Sequence, residues 1–450
     1  MEENILGREK ISKLFIKFSI PAIIAMLISG VQTIIDGIFL GNFVGSNAMA
    51  SISMAGPYIQ LVIGFSMLIS VGSLSFMGRS LGEGNKKLTQ DIFRTSTTIL
   101  SVVALFLSIF GFIFSKNISL TLGANNILIN DVSIYIKFIS IFILPMSLAF
   151  LIGFADRLIE KPELYFKGMI VSLLFNITLN YLLIKKLQYG IAGAALATGI
   201  SYSSVFFIVL SPMLNKNNVI NLFVGKFNIK TIIPIVYNGS SEAIASIASA
   251  ISAYLFNMSF IRIAGESGVT AFTSINYIAQ FGTLIIFGIG DGIGSIISYN
   301  YGAKSFERVK RIFNLSAKIA FIIGFITFLI LFLFGENLVT LFVASDKTVV
   351  DLVSQGAKLY ALAFILNGFN TLCSAYFTAI GYAKESIIIA LSRGLIFILL
   401  GITILPSMLG INGIWLTVPF AEVMTFAICS YLMNKYKLPQ SQVHTAPLID

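Results

Sequence analysis

The sequence predicts an all-α membrane protein: twelve transmembrane helices in two six-helix lobes related by a pseudo-two-fold axis along the membrane normal. Three observations predict it: the composition, the alternation of charge between connectors, and an internal repeat. Of 450 residues, 56% are hydrophobic and 11% charged, and the mean hydropathy is +0.91. A soluble fold cannot hide that much apolar surface. A bilayer core of about 30 Å takes about 20 mostly apolar residues per helix, and the chain offers such stretches in succession. They fall near 14–40, 52–78, 92–115, 132–155, 163–184, 190–213, 231–260, 270–299, 312–335, 355–380, 386–406 and 411–434. The first is too long for a signal-peptide core and has no small-residue cleavage pattern, so it is expected to stay as an anchored helix.

The net charge of +10 is spread along the chain in small groups rather than gathered into a patch, which reads as topology and not as nucleic-acid binding. Twenty-one Lys and Arg lie in alternate connectors, beginning with Arg8, Lys10, Lys13 and Lys17 and including Arg79, Arg157 and Lys304, against seven in the others; Lys318 and Arg393 fall within spans. An error of one span would scramble that alternation. The positive-inside rule then places both termini and the 6–7 connector in the cytoplasm, with the plasma (inner) membrane as the expected location.

The repeat fixes the architecture. Gly45, Gln60, Gly72, Ser75 and Gly82 recur 220 residues later as Gly265, Gln280, Gly292, Ser295 and Gly302. Gly190-Ile191-x-Gly193-x-x-Leu196 recurs as Gly410-Ile411-x-Gly413-x-x-Leu416. Six spans per copy give the two copies the same orientation, hence an axis along the membrane normal. The expected division is an N-lobe over 1–213, a linker over 214–230, a C-lobe over 231–438 and a polar tail over 439–450. Two such lobes can rock about a central cavity, although duplication can also be ancestry alone.

Ionisable groups inside a bilayer cost at least roughly 2.5–3.5 kcal/mol each at the helix centre and usually face a cavity. Four acids qualify: Asp36 late in span 1, Glu242 early in span 7, Asp291 between glycines in span 8, and Glu422 in span 12. Asp36 is the strongest candidate for loading and releasing a proton or cation. Asn176 and Asn180, one turn apart on span 5, and Thr198 on span 6 are expected to join it in an oxygen-rich pocket for H+ or Na+; interhelical hydrogen bonding is the alternative for these groups. Glu242, Asp291, Gln32, Tyr277 and Met54 are the candidate substrate contacts. For Glu242 a position near the cytoplasmic surface stays open, for Asp291 a packing role, and for Glu422 a structural bridge to Arg393. Forty Phe, 16 Tyr and 13 Met suit a wall for lipophilic cations, and Phe is also ordinary lipid-facing filler.

Enzyme chemistry has no foothold. The only His is His444 in the tail, no GxxxxGK[ST] is present, and Cys373 and Cys429 form no CxxC pair. No organic cofactor is expected, the one metal left open is Na+ at Asp36, Asn176, Asn180 and Thr198, and energy would have to come from an ion gradient.

Several segments in this order carry a resemblance: Ile20-Pro21-Ala22, Asp36-Gly37-Ile38-Phe39-Leu40-Gly41, Gly190-Ile191-Ala192-Gly193-Ala194-Ala195-Leu196-Ala197-Thr198, Tyr299-Asn300-Tyr301-Gly302-Ala303 and Gly410-Ile411-Asn412-Gly413-Ile414-Trp415. Over essentially its full length the chain resembles the multidrug and toxic compound extrusion (MATE) family. The resemblance implies an exporter of hydrophobic cations and other drugs, conferring drug resistance, driven by H+ or Na+ entry and expected as a monomer. It matches Asp36 to the family's first-helix acid, Asn176 and Thr198 to polar groups beside it, and Glu242 to a seventh-helix acid. Members with Asn-x-x-x-Asp on helix 5 carry an acid where this chain has Asn180, and no acid stands on span 10. The main alternative is a lipid-linked saccharide flippase of the same superfamily, which usually lines its cavity with several Arg or Lys; here at most Lys318 and Arg393 are available.

Overall fold

A computed structural model describes residues 4–340 and 347–439. The tail from 440 on, with His444, lies outside the described residues. Among those residues every regular element is helical, as lipid demands, since a helix satisfies its own backbone groups.

The N-lobe contains Ile11–Phe43 (span 1), Ser46–Gly82 (span 2) and Lys86–Ile113 (span 3). Span 4 is the bent pair Ile129–Ser140 and Ile143–Leu158. Span 5 is Glu163–Leu179, continued by a π-helical stretch over Asn180–Lys186, and span 6 is Gly190–Leu210. In the C-lobe, spans 7 and 8 form one hydrogen-bonded run, Ile232–Gly302, interrupted at Gly265. Phe306–Thr340 is span 9, and Lys347–Ala361 with Phe364–Ile380 is the bent span 10. Span 11 is Ala383–Leu391, a π-helical turn Ser392–Ile396 and Phe397–Leu409; Ile411–Lys435 is span 12. Twelve spans result, half of them a few residues longer at each end than their apolar centres.

The repeat is visible in irregularities as well as in helices. Gly45 and Gly265, 220 residues apart, turn the chain between spans 1–2 and 7–8 at φ 117° and 64°, values that glycine adopts without a Cβ clash. Spans 4 and 10 break at corresponding places and bend by 51° and 48°. Spans 5 and 11 each carry a π-helical stretch.

The lobes meet through glycines arranged by the same symmetry. A Cβ on Gly78 would strike Ser298, its own counterpart at offset 220, so the axis passes between these two residues. Gly82 sits on the Tyr299 carbonyl and Gly302 on the Arg79 carbonyl, one contact repeated by the two-fold axis. Gly72 likewise packs on Ile235 and Gly239, as Gly292 packs on Ser19. Small residues let backbones touch, which is how helices associate without a hydrophobic driving force. The contact thins through Gly64 beside Ser246, and a Cβ on Gly37, Gly56 or Gly265 would meet nothing within 4 Å. The lobes are therefore closed at the end that carries the N-terminus and diverge toward the Gly45/Gly265 end.

The closed end is tied further by the N-terminal turn Ile5–Arg8. Asn4 donates to the Leu158 carbonyl (3.0 Å) and the Ile5 N–H to Glu160 (2.9 Å), both in the N-lobe. From the C-lobe, Asn300 donates to the Leu6 carbonyl (2.8 Å) and Arg308 to those of Leu6 (3.1 Å) and Glu9 (2.7 Å). Leu6 is fully buried between them. The segment following span 6 lies against span 3, where the Lys226 N–H donates to Asp91 (2.7 Å) and Gln90 to the Val219 carbonyl (3.0 Å).

Arg157 differs from its sequence placement. Counting it among connector cations put it at the water interface, but span 4 runs through Leu158 and Arg157 is only 3% exposed. Its guanidinium crosses to the C-lobe and donates to the Asp291 carbonyl (2.5 Å).

Candidate ion site and binding cavity

Asp36 lies about 10 Å from the Gly45 end of span 1, at 1.5 Å per residue. Asn176 and Asn180 both donate to its Oδ1, at 2.9 and 2.6 Å, and Thr198 donates to Oδ2 at 3.0 Å. Asn180 also donates to Asn176 Oδ1 at 3.2 Å. The spacing explains the convergence: Asn176 and Asn180 are one turn apart and face span 1 together. The π-helical stretch starts at Asn180 itself, and π-helical turns concentrate at functional sites.

No Lys or Arg makes an ion pair with Asp36 among the described residues. Buried Asn180 Oδ1 is left without a hydrogen-bond partner. An unpaired carboxylate, a second amide oxygen, a hydroxyl and one orphaned oxygen make a donor set for a small hard cation or a proton. Span 1 is fixed to spans 5 and 6 by the same face: Ser29 meets the Tyr202 hydroxyl (3.0 Å) and Gln32 donates to Ser172 (2.9 Å).

A separate cavity of about 440 Å³ lies between the lobes, mostly against the C-lobe, within the usual size range for drug-sized ligands. Glu242 and Asp291 both line it. Glu242 is ten residues beyond Ile232, about 15 Å along the helix from its start, so it stands well inside the bundle rather than at the surface. Phe256, Phe272, Phe287 and Phe364 supply apolar wall. Tyr360 donates to Asn276 at 3.0 Å on the same wall.

The structure adds groups that the sequence reading did not single out or left open, one cluster at the cavity wall and one acid away from it. Glu422 is 2% exposed and fully engaged: Arg393 Nε donates to Oε1 (2.8 Å), Asn367 to Oε1 (3.0 Å) and Asn370 to Oε2 (2.7 Å). Asn367 and Asn370 are i, i+3 on span 10, as conspicuous in an apolar helix as the Asn pair of span 5, and that spacing was the available signal. Arg393 comes from the π-helical turn of span 11. The bridge between Arg393 and Glu422, one of two readings open from sequence, exists. Asp156, off the cavity, is a further acid, fully buried at the end of span 4, and neither of its carboxylate oxygens has a hydrogen-bond partner among the described residues.

The remaining candidates fall elsewhere. Gln32 is 2% exposed in the N-lobe, bonded to Ser172. Met54 packs beside an N-lobe apolar cluster, and Tyr277 is 58% exposed. None of the three lines the cavity. Lys318 is exposed and off the cavity, so among the described residues Arg393 is the one basic side chain lining the cavity. Cys373 and Cys429 are free and buried.

Comparison with known proteins matches this arrangement to one family. The family model MatE aligns with residues 21–182 and 243–403, one segment in each lobe. The chain belongs to the MATE family. The multidrug export protein MepA of Staphylococcus aureus (strain bovine RF122 / ET3-1) is 25% identical over 447 residues, covering 98% of each chain. MepA of Staphylococcus saprophyticus is 25% identical over 424 residues, 93% of this chain and 92% of its own. Among solved structures, a MATE protein in complex with MaL6 superposes with a TM-score of 0.90 at 21% identity, covering 97% of this chain and 99% of its own. A MOP superfamily transporter from Pyrococcus furiosus, described as having a binding pocket of reverse polarity that suggests a different function, gives 0.91 at 20% identity, covering 98% and 99%. This MATE chain is thus a multi-pass membrane transporter of the multidrug efflux type.

Proposed function

We propose that this MATE protein exports organic cations and other lipophilic drugs in exchange for H+ or Na+, by alternating access of the cavity between the two lobes. The observation that carries it is Asp36: a carboxylate among membrane helices, held by three neutral donors and, among the described residues, paired with no cation. Such a group is costly to keep unless it exchanges an ion. In this reading Asp36, Asn176, Asn180 and Thr198 carry ion coupling, and Glu242 with Asp291 recognises the substrate cation. The closed N-terminal end faces the cytoplasm of the plasma membrane, so the cavity opens outward, and one chain is the working unit. The domain division at 214–230 is part of the same proposal.

The flippase alternative asks for several cavity cations to hold a pyrophosphate. One Arg beside three carboxylates suits it poorly. The decisive assay is ethidium uptake into inverted membrane vesicles with a proton or a sodium gradient imposed alone. Uptake driven by at least one gradient is expected; uptake driven by neither overturns the reading.

Glu242 gives a separate expectation. Glu242→Gln removes a charge that a neutral ligand does not use, and should weaken binding of a monovalent cation about tenfold while changing a neutral analogue about twofold or less. Equal losses for both, read by titration of the purified protein, would assign Glu242 to packing.

A further inference from the structure

The cavity carries charge of both signs on different helices. Glu242 and Asp291 stand on spans 7 and 8, Arg393 and Glu422 on spans 11 and 12, and all four line one space. Glu422 is saturated by Arg393, Asn367 and Asn370 and its side chain is 3% exposed, whereas the Arg393 side chain is 23% exposed. Only Nε of Arg393 is engaged; among the described residues Nη1 and Nη2 make no hydrogen bond. A guanidinium presents five donors in a fixed fork and stays charged at any relevant pH. Glu422 therefore anchors one edge of the guanidinium and leaves the other available to the cavity.

The anchoring is built from several parts. The π-helical turn Ser392–Ile396 breaks the regular bonding of span 11 where Arg393 leaves the helix. Ser252 of span 7 donates to the Gly394 carbonyl at 2.5 Å, and a Cβ on Gly394 would press on Ala248 at 2.8 Å. Span 11 is thus seated against span 7 at the level of the arginine. Two asparagines hold Glu422 from span 10. A guanidinium positioned by four helices, with one edge free at a cavity wall, is a preformed docking point for a carboxylate or sulfonate.

We propose that Arg393 is a specificity-determining residue: its free guanidinium edge binds an anionic group on the same ligand whose cationic part binds at Glu242 and Asp291, admitting dipolar organic compounds. The charge balance sets the class. Glu242, Asp291 and Glu422 face Arg393, and Arg157 on the Asp291 carbonyl still leaves one carboxylate in excess, so an anion that brings no cation meets net repulsion and is refused. A ligand with both poles neutralises the acids with its cation and satisfies the arginine with its anion. Glu422 acts through Arg393 and is a positioning residue. The inference rests on the efflux reading for its biological use, but binding alone tests it.

The test uses two rhodamine dyes that differ only in one ester: rhodamine 6G, a cation, and rhodamine 19, the same molecule with the ethyl ester hydrolysed to a carboxylic acid. Fluorescence anisotropy with purified full-length protein gives a Kd for each, with fluorescein as the dye lacking a cationic group. Wild type is expected to bind both rhodamines and to refuse fluorescein. In Arg393→Gln the ratio of the free-acid Kd to the ester Kd rises about tenfold, the loss of one charge-assisted hydrogen bond, and Arg393→Lys recovers part of it. Should Arg393→Gln not fold, the double variant Arg393→Met/Glu422→Met removes both buried charges together and should raise the same ratio. An unchanged ratio in either variant means Arg393 only neutralises Glu422, and overturns the proposal. Wild-type protein that binds the ester and refuses the free acid also overturns it, while leaving cation efflux intact. Binding of neither rhodamine counts against both readings.

Discussion

Asp36→Asn is expected to cut gradient-driven ethidium efflux to less than about a tenth of the wild-type rate, a barrier raised by at least about 1.4 kcal/mol. The argument is geometric. Three donors converge on the carboxylate, from Asn176, Asn180 and Thr198. An amide there offers one oxygen instead of two and turns an N–H toward groups that are themselves donors. Each buried donor left without an acceptor costs about 1–3 kcal/mol, and the site no longer changes charge when an ion arrives. Ethidium binding in the cavity involves other helices and should survive. Efflux from loaded vesicles, measured beside dye binding, separates the two. Undiminished efflux in Asp36→Asn would move coupling elsewhere, and Asp156 or Glu242 would be the next residues to substitute.

The second large effect concerns the closed end. Gly72→Val and Gly239→Val put branched side chains where backbone meets backbone between spans 2 and 7. Overpacking costs about 1–3 kcal/mol at one site, and here the cost falls on the closed arrangement alone, because the contact disappears when the lobes part. The population should shift about tenfold or more toward the form open at the N-terminal end. Ser298, fully buried against Gly78, reports it: in Ser298→Cys, with Cys373 and Cys429 replaced by serine, a membrane-impermeant maleimide should label inverted vesicles at least about tenfold faster when either valine is present. Labelling that stays slow in folded valine variants would mean that this interface does not open.

Much of this architecture is legible in the sequence because lipid makes polar residues scarce. Asp36, Asn176, Asn180 and Thr198 stand out against apolar helices, and few partners exist for each, so the cluster follows from depth and helical spacing. The repeat is legible for a related reason. Its glycines mark backbone contacts and turns that no other residue fills, so their 220-residue offset survives in both lobes. What stays hidden is geometry that periodicity does not encode. The π-helical turn that places Arg393 has no sequence signature, and the i, i+3 spacing of Asn367 and Asn370 does not by itself name Glu422 of span 12 as their partner. Arg157 misleads for a physical reason: a basic residue near a helix end counts as interfacial, whereas here lobe packing draws it into the bundle to reach the Asp291 carbonyl.

The structure also sharpens how the two halves compare. Asp36 has Phe256 at its repeat position, so its charge is not duplicated. Each lobe nonetheless holds one carboxylate between two asparagine amides, assembled from spans 1 and 5 in the N-lobe and from spans 12 and 10 in the C-lobe. The difference lies in the counter-ion. Glu422 has a tethered one, Arg393; Asp36 has none among the described residues, which is why the proposed function assigns ion exchange to it.

That difference leads to the most direct measurement: ion release on ligand binding. Two sites linked through one conformational equilibrium affect each other reciprocally, so ethidium added to purified protein in weakly buffered solution should displace an ion, read as a pH change or as a signal at a sodium-selective electrode. The account predicts release of H+ or Na+ by the wild-type protein and none by Asp36→Asn, with ethidium still bound. Equal release from both proteins, or none from the wild type while ethidium binds, would contradict it.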